Sequence, residues 1–156
     1  MRITTKNSGL GFQGQIVTKK YDDLTQYALT CELDKAHQLA LQIFVEFLKY
    51  KKTKRIIRYH SSYGLKHLAE QISRKLVKDY PGYQYEYIGN EDMIFAMLRA
   101  GFICRNCGDY EGNKNLSPNY YFNVGRLKMS NWIKSPILDK IIKDTMTSDL
   151  LKQHTL

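Results

Sequence analysis

LDKAHQLALQIFVEFLKYKKTKRIIRYHSSYGLKHLAEQISRKLVKD, residues 33–79, is the stretch that decides the fold, because it holds two helical patterns separated by a cationic run. Over residues 33–51 the apolar side chains recur with the period of an α-helix and fall on one face. A second helical pattern covers residues 63–79, and Ser62 is a suitable N-cap for it. Residues 56–57, Ile-Ile, predict a short strand between the two helices. A chain of 156 residues with 43% hydrophobic content can bury both helices in one core.

Further strands are predicted wherever apolar or alternating runs lie between glycine, proline and polar residues. These runs are Phe12–Thr18, Leu24–Cys31, Tyr83–Ile88, Phe102–Cys104 and Tyr120–Val124. The last two flank a polar loop and predict a hairpin. The expected fold is therefore α+β, a small antiparallel sheet packed against three or four helices.

Two more helices are predicted in the second half of the chain. Asn90 is the expected cap of a short helix, residues 93–100, which is apolar on nearly every side and should be buried. Gly101 follows it as a C′ residue. A C-terminal amphipathic helix over residues 135–153 begins at Ser135 and Pro136. That helix either closes the core or docks on a partner.

Positive charge is concentrated in one segment. Residues 48–80 contain ten Lys or Arg residues against two acidic ones, in a chain whose net charge is +9. Clustered cations repel one another unless a polyanion such as nucleic-acid phosphate neutralises them. A helix dipole accounts for cations in the last turn of the first helix, but not for Lys54, Arg55 and Arg58. The predicted nucleic-acid-binding residues are Lys51, Lys52, Lys54, Arg55, Arg58, Tyr59, Tyr63, Lys66, Arg74 and Lys78.

The chain has twelve tyrosines, many of them in residues 80–87 and at Tyr110, Tyr120 and Tyr121. They suit half-buried strand positions, where the ring packs and the hydroxyl stays wet. They also suit base stacking beside a basic groove, at about 1–3 kcal/mol per base. Both interpretations remain open.

Several classes of protein are not expected from this composition. No window approaches the ~20 apolar residues of a membrane span, and the polar start shows no secretory signal. The three cysteines favour reduced thiols in a cytoplasm. Cys104 and Cys107 have the spacing of half a zinc knuckle, but a second pair of ligands is missing. Neither a metal, a cofactor nor a small-molecule substrate is expected.

Four blocks in residues 55–125 resemble a pattern in small proteins of Gram-positive phages, plasmids and conjugative elements. They are Tyr59–His67 (YHSSYGLKH), Tyr87–Asp92 (YIGNED), Met97–Phe102 (MLRAGF) and Ser117–Val124 (SPNYYFNV). Some proteins that resemble this one are type II-A anti-CRISPR proteins, which disable an RNA-guided nuclease through its guide RNA or its protein domains. The resemblance implies a cytoplasmic protein of a bacterial host cell whose partner is RNA or a ribonucleoprotein. It implies no catalytic residues.

Two other functions are consistent with the sequence. A small ribonuclease would use His60, His67 and Glu70 as acid–base groups, or Asp109, Glu111 and Lys114 in the hairpin loop to hold magnesium. The simpler expectation for Glu70 is an intrahelical ion pair with Lys66 and Arg74. A DNA-binding regulator of winged-helix type is suggested by two helices followed by a hairpin. The buried character expected of the second of these helices argues against groove reading.

Overall fold

The computed structural model describes residues 38–110 and 117–154, with side chains described as far as Asp149. The predicted strands at residues 12–18 and 24–31, and the predicted start of the first helix at residues 33–37, lie outside the described residues. Within the described ranges the chain forms five α-helices and one three-stranded antiparallel sheet. This arrangement confirms the prediction of a single α+β domain.

In chain order the elements are α1 (Leu39–Leu48), β1 (Lys52–Ser61), α2 (Ser62–Asp79), α3 (Asn90–Arg99), β2 (Cys104–Asn106), α4 (Cys107–Tyr110), β3 (Tyr120–Val124) and α5 (Pro136–His154). Short 3-10 helices cover Lys49–Lys51 and Trp132–Lys134. None of the helices among the described residues has the length and apolar character needed to cross a bilayer.

The core lies between the helices and the sheet. Phe44 and Phe47 of α1, Phe95 of α3 and Phe122 of β3 are all fully buried. Each such ring contributes about 1.5–3 kcal/mol by leaving water. The predicted apolar stripe of α2 is confirmed by the burial of Leu65, Leu68, Ala69, Ile72 and Leu76. The helical period in the sequence was therefore a reliable guide to the core.

Helix α5 closes this core. Leu138, Ile142 and Met146 are buried in the same cluster as the α1 side chains, whereas Ile137 is 44% exposed. Of the two roles predicted for the C-terminal helix, packing on the core is the one confirmed.

The sheet has the order β1-β3-β2, and both neighbouring pairs are antiparallel. The predicted hairpin is confirmed as the pair β2 and β3. The predicted strand at Ile56 and Ile57 was too short, because β1 covers the whole cationic run from Lys52 to Ser61. Lys52 lies opposite Val124 while Ile57 lies opposite Phe122, so β1 holds extra residues in a bulge. Bulges twist a strand and change the direction of its side chains.

Helix α2 begins one residue earlier than predicted. Its N-cap is Ser61, whose Oγ accepts a hydrogen bond from the Gly64 N–H at 3.2 Å. Ser62 is fully buried instead, and its Oγ accepts from the Tyr120 N–H at 3.1 Å. The second serine therefore ties α2 to β3, which sequence spacing alone does not indicate.

The alternating tyrosines at residues 83–88 do not form a strand, which contradicts the prediction. Their hydroxyls turn towards α2: the Tyr83 hydroxyl contacts Ser73 Oγ at 3.1 Å, and the Tyr85 hydroxyl donates to Glu70 Oε2 at 2.9 Å. The Glu86 N–H also donates to Ser73 Oγ, at 2.7 Å. Contacts with α2 side chains thus hold the segment in place of a strand ladder.

Helix α3 is buried as expected. Met93, Ile94, Phe95, Met97 and Leu98 all lie in the core. Its cap is Gly89 and not the predicted Asn90, whose amide donates to the Pro118 carbonyl at 3.0 Å. Gly101 has φ +89°, which confirms the predicted left-handed C′ position.

Candidate nucleic-acid interface

Strand β1 has four exposed cations, and the first of them, Lys52, is engaged by the protein itself. Lys54, Arg55 and Arg58 are exposed, and we refer to them together as the strand surface. Among the described residues, no carboxylate lies within 4.0 Å of any of them. In the described part of the chain β1 is also an edge strand, and charged edges protect a sheet against pairing with another chain. Edge protection therefore explains some of this positive charge without requiring a binding partner.

Arg58 belongs to a cluster that joins four elements. Its guanidinium lies 4.3 Å from the centroid of the Tyr110 ring, and the guanidinium of Arg105 lies 5.1 Å from the same centroid. Tyr121 of β3 packs edge-on against Tyr110 at 5.6 Å. We call Arg58, Arg105, Tyr110 and Tyr121 the arginine–tyrosine cluster. Two guanidinium groups beside aromatic rings form a surface suited to phosphates and bases.

The next residue along β1 points elsewhere. Tyr59 is 47% exposed and packs with Arg126, whose guanidinium lies 4.3 Å from the ring centroid. Register shifts lie on both sides of Ile57, so simple alternation does not assign the faces of β1, but the two contacts show that Arg58 and Tyr59 reach different partners. The fold therefore divides the cationic run that looks continuous in the sequence.

Lys51 and Lys52 are exposed but partly engaged by the protein itself. The Lys52 ammonium donates to the Gly101 carbonyl at 3.0 Å and lies 5.3 Å from the Phe102 ring centroid. The Lys51 ammonium lies 6.0 Å from the Phe47 ring centroid. Lys52 helps to hold the end of α3, which lowers its value as a phosphate contact.

Lys66 is not on the surface, which contradicts its placement on the polar face of α2. It is only 3% exposed, and its ammonium lies 3.4 Å from Glu70 Oε1. The ring of Tyr87 lies 4.3 Å and that of Tyr63 5.6 Å from this ammonium. Tyr87 comes from the segment that was predicted to be a strand. Because that segment packs on α2 instead, it covers a lysine that the helical period places near solvent.

Glu70 is the centre of a polar group on α2. It is 3% exposed, and its Oε2 accepts a hydrogen bond from the Tyr85 hydroxyl at 2.9 Å in addition to the ion pair with Lys66. His67 Nδ1 lies 2.9 Å from Glu70 Oε1. We call Lys66, His67, Glu70 and Tyr85 the polar helix cluster. The predicted ion pair with Lys66 is confirmed, whereas Arg74 turns to Tyr85, 5.8 Å from its ring centroid.

The ionisation of Glu70 follows from these contacts. Burial raises the pKa of its carboxyl, but the hydrogen bond from Tyr85 and the charge of Lys66 outweigh burial and hold the pKa below its ordinary value. Glu70 is therefore an anion at neutral pH, matched to the ammonium beside it.

The remaining predicted contacts on α2 are exposed. Arg74 and Lys78 lie on its outer face, and Tyr63 is 53% exposed with its ring 4.5 Å from that of His67. These residues form a surface around the polar helix cluster, whereas the arginine–tyrosine cluster is built by β1, β2, α4 and β3. The predicted set is thus distributed over several surfaces, because Tyr59 packs with Arg126 and Lys52 with the end of α3.

His60 has a structural role that sequence reasoning missed. Its Nε2 accepts a hydrogen bond from the Leu127 N–H at 2.9 Å. Burial and the nearby charge of Arg126 lower the pKa of His60 below its ordinary value. A neutral imidazole whose acceptor nitrogen is already occupied is poorly placed to act as a catalytic acid or base in the ribonuclease hypothesis.

The second ribonuclease hypothesis concerned the hairpin loop. Asp109 Oδ2 lies 3.5 Å from the Arg105 guanidinium on the surface, and Glu111 and Lys114 lie outside the described residues. Across the part of the chain that the structure describes, no group of three or more His, Cys, Asp or Glu side chains is placed to hold a metal.

Both cysteines of the CxxC spacing are buried and free. Cys104 and Cys107 are 6% and 4% exposed, and burial raises the pKa of Cys104 to about 12. A thiol with that pKa is a poor nucleophile at neutral pH. Cys107 is the first residue of α4, whereas the sequence predicted a loop at this position.

Arg105 and Arg126 are the two interface candidates that sequence analysis did not select. Each is a single arginine outside the dense cationic run, and each meets that run only through tertiary contact with Tyr110 or Tyr59. No local pattern in the sequence selects either arginine, because Tyr110 joins Arg105 to Arg58, and Tyr59 meets Arg126, only in the folded chain.

Comparison with protein-family models, with curated proteins and with solved structures finds no match for this chain. The resemblance to mobile-element proteins therefore stays a prediction.

Proposed function

We propose that this protein binds RNA phosphates through the strand surface and the arginine–tyrosine cluster. The observation that carries the proposal is the exposure of Lys54, Arg55 and Arg58 on one strand without a carboxylate partner among the described residues. Arg58 also links this strand to Arg105 and Tyr110. Unpaired cations beside accessible rings suit a single-stranded or looped RNA, whose bases can stack while its backbone is neutralised.

The resemblance found in the sequence gives this proposal its most specific form. The protein would be an anti-CRISPR inhibitor of a type II RNA-guided nuclease and would act through the guide RNA or the surface that binds it. Competition for phosphate contacts is sufficient for such inhibition and requires no catalysis. Such a protein acts in the cytoplasm of a bacterial host.

The first experiment measures affinity for guide RNA over a range of salt concentrations. A variant with Lys54→Ala, Arg55→Ala and Arg58→Ala should bind at least about 10-fold more weakly, and its salt slope should fall by about 2–3 in log–log form. The matched control replaces Lys134, Lys140 and Lys143, three exposed cations on and before α5, and removes the same charge. Equal loss in both variants would show that net charge alone drives binding and would refute the interface.

Co-purification from cells that express a type II effector tests the specific form of the proposal. We expect the effector, its guide RNA, or both to be retained by wild-type protein and lost from the strand-surface variant. Retention of neither by the wild-type protein would contradict the anti-CRISPR role.

A ribonuclease is the second candidate, and one observation favours it. His67 Nδ1 contacts the buried carboxylate of Glu70, which leaves Nε2 of a half-exposed ring as a possible proton acceptor. Incubation with guide RNA, with and without magnesium, separates the two functions because only an enzyme shortens the RNA. Cleavage lost in a His67→Gln variant would favour the enzyme over simple binding.

Groove reading in duplex DNA has less support. Two helices do precede the hairpin, but α3 turns its apolar residues into the core and carries Glu91 and Asp92 in its first turn. Acidic side chains at the start of a recognition helix oppose phosphate. A gel shift that prefers duplex DNA to RNA would reverse this ranking.

A further inference from the structure

A second basic site lies apart from the strand surface. Between α1 and the segment before α5 there is an open cavity of about 330 Å³. Lys51, Arg126 and Lys128 line it, together with Ser135 and the aromatic residues Phe47 and Trp132. None of the described residues that line it is acidic. Its volume falls at the lower end of the ~300–1,000 Å³ range of small-ligand sites.

The walls of this cavity are held by the fold. The Gly125 N–H donates to the Lys51 carbonyl at 2.8 Å, which fixes the chain after β3 against the end of α1. The Trp132 ring packs 5.5 Å from Phe44 and 6.0 Å from Phe47. The aromatic wall is therefore part of the core and does not depend on a ligand.

Two of the cations around the cavity have aromatic neighbours, Lys51 beside Phe47 and Arg126 beside Tyr59. Among the described residues, Lys51, Arg126 and Lys128 have no carboxylate within 4.0 Å. Arg126 is oriented by its contact with Tyr59. Three cations around one concave space create a field that a compact dianion would neutralise.

We propose that this cavity binds a phosphomonoester, either the terminal phosphate of an RNA or the phosphate of a free mononucleotide. Arg126 supplies a planar fork that matches two phosphate oxygens, and Lys51 and Lys128 supply point charges from the sides. Ser135 offers a hydroxyl, and Phe47 and Trp132 form an apolar wall. The terminal-phosphate form rests on the proposed RNA binding, whereas the mononucleotide form does not.

Calorimetric titration tests the mononucleotide form. AMP should bind the whole protein at least 10-fold more tightly than adenosine. A variant with Arg126→Ala and Lys128→Ala should lose at least 10-fold in AMP affinity. The matched control, Lys140→Ala with Lys143→Ala, should bind AMP as the wild type does. Because all four side chains are exposed, unchanged urea midpoints are expected and verify that the variants are folded.

The terminal-phosphate form is tested with one oligonucleotide in 5′-phosphate and 5′-hydroxyl forms. Preference for the phosphorylated RNA, lost in the Arg126→Ala/Lys128→Ala variant, assigns the cavity to an RNA end. Absence of both this preference and AMP binding would overturn the proposal, even if RNA still bound through the strand surface. Conversely, AMP binding that survives the strand-surface substitutions would stand even if the proposed RNA function failed.

Discussion

The polar helix cluster and the strand surface are neighbouring regions that treat positive charge in opposite ways. On α2, Lys66 is buried beside Glu70 and covered by tyrosine rings. On β1, Arg58 and its neighbours stay exposed and lack a carboxylate partner among the described residues. Both regions belong to the same basic run in the sequence. A high density of positive charge in the sequence therefore does not identify an interface. The positions of the acidic side chains, and of the segments that cover the cations, must also be known.

The largest change in stability is expected from removing the acid at the centre of the polar helix cluster. Glu70→Gln should lower the free energy of unfolding by about 3–5 kcal/mol, because the buried ammonium of Lys66 is left uncompensated. Urea denaturation measures this change.

The matched control is Glu46→Gln, which removes the acid of an exposed pair with Lys49 at 2.7 Å. It should cost less than about 1 kcal/mol. Adding Lys66→Met to Glu70→Gln should recover at least half of the lost stability. A Glu70→Gln variant within about 1 kcal/mol of wild type would show that the pair is not effectively buried.

A smaller effect is expected from acidification, through His60 on β1. Its pKa is below 6.5 in the folded state, so the unfolded state binds the proton more readily. Stability should therefore fall as the pH decreases below about 6.5 and level off below the folded pKa, at about 1.4 kcal/mol per unit of pKa difference.

Unfolding midpoints at a series of pH values measure this dependence. In a His60→Gln variant the decrease between about pH 6.5 and 5 should be reduced. An identical profile in both proteins would place the titrating group elsewhere.

The smallest effect on stability is expected at the strand surface. Replacing Lys54, Arg55 and Arg58 with alanine should change the free energy of unfolding by no more than about 0.5 kcal/mol per site, since all three are exposed and none has a carboxylate partner among the described residues. The same variant should show the largest loss of RNA affinity. A large loss of stability without a loss of binding would reverse the contrast between the two regions.

The helices could largely be predicted from the sequence, because apolar residues that recur with a period near 3.6 indicate which side chains face a core. Leu65, Ile72 and Leu76 lie where this period places them, and Gly101 ends α3 as its residue type predicts. The residues of the candidate interface were harder to predict from the sequence. Arg105 enters it through Tyr110, and Lys66 leaves it because Tyr87 covers it. Tyr110 joins Arg105 to Arg58, which lies 52 positions before that tyrosine, and Tyr87 lies 21 positions after Lys66; local patterns do not report contacts over such separations.

The sequence by itself determined the fold class, the apolar faces of the helices, the hairpin and the concentration of positive charge in residues 48–80. These are local properties, set by side-chain period, turn residues and composition. Tertiary structure alone decided that the tyrosines of residues 83–88 pack on α2 and form no strand, and that one lysine is buried while three cations on β1 stay exposed. It also decided where Arg126 meets Lys51 around a common cavity. The physical reason is that burial and pairing depend on which distant segments come into contact, and a linear pattern of charges carries no information about those contacts.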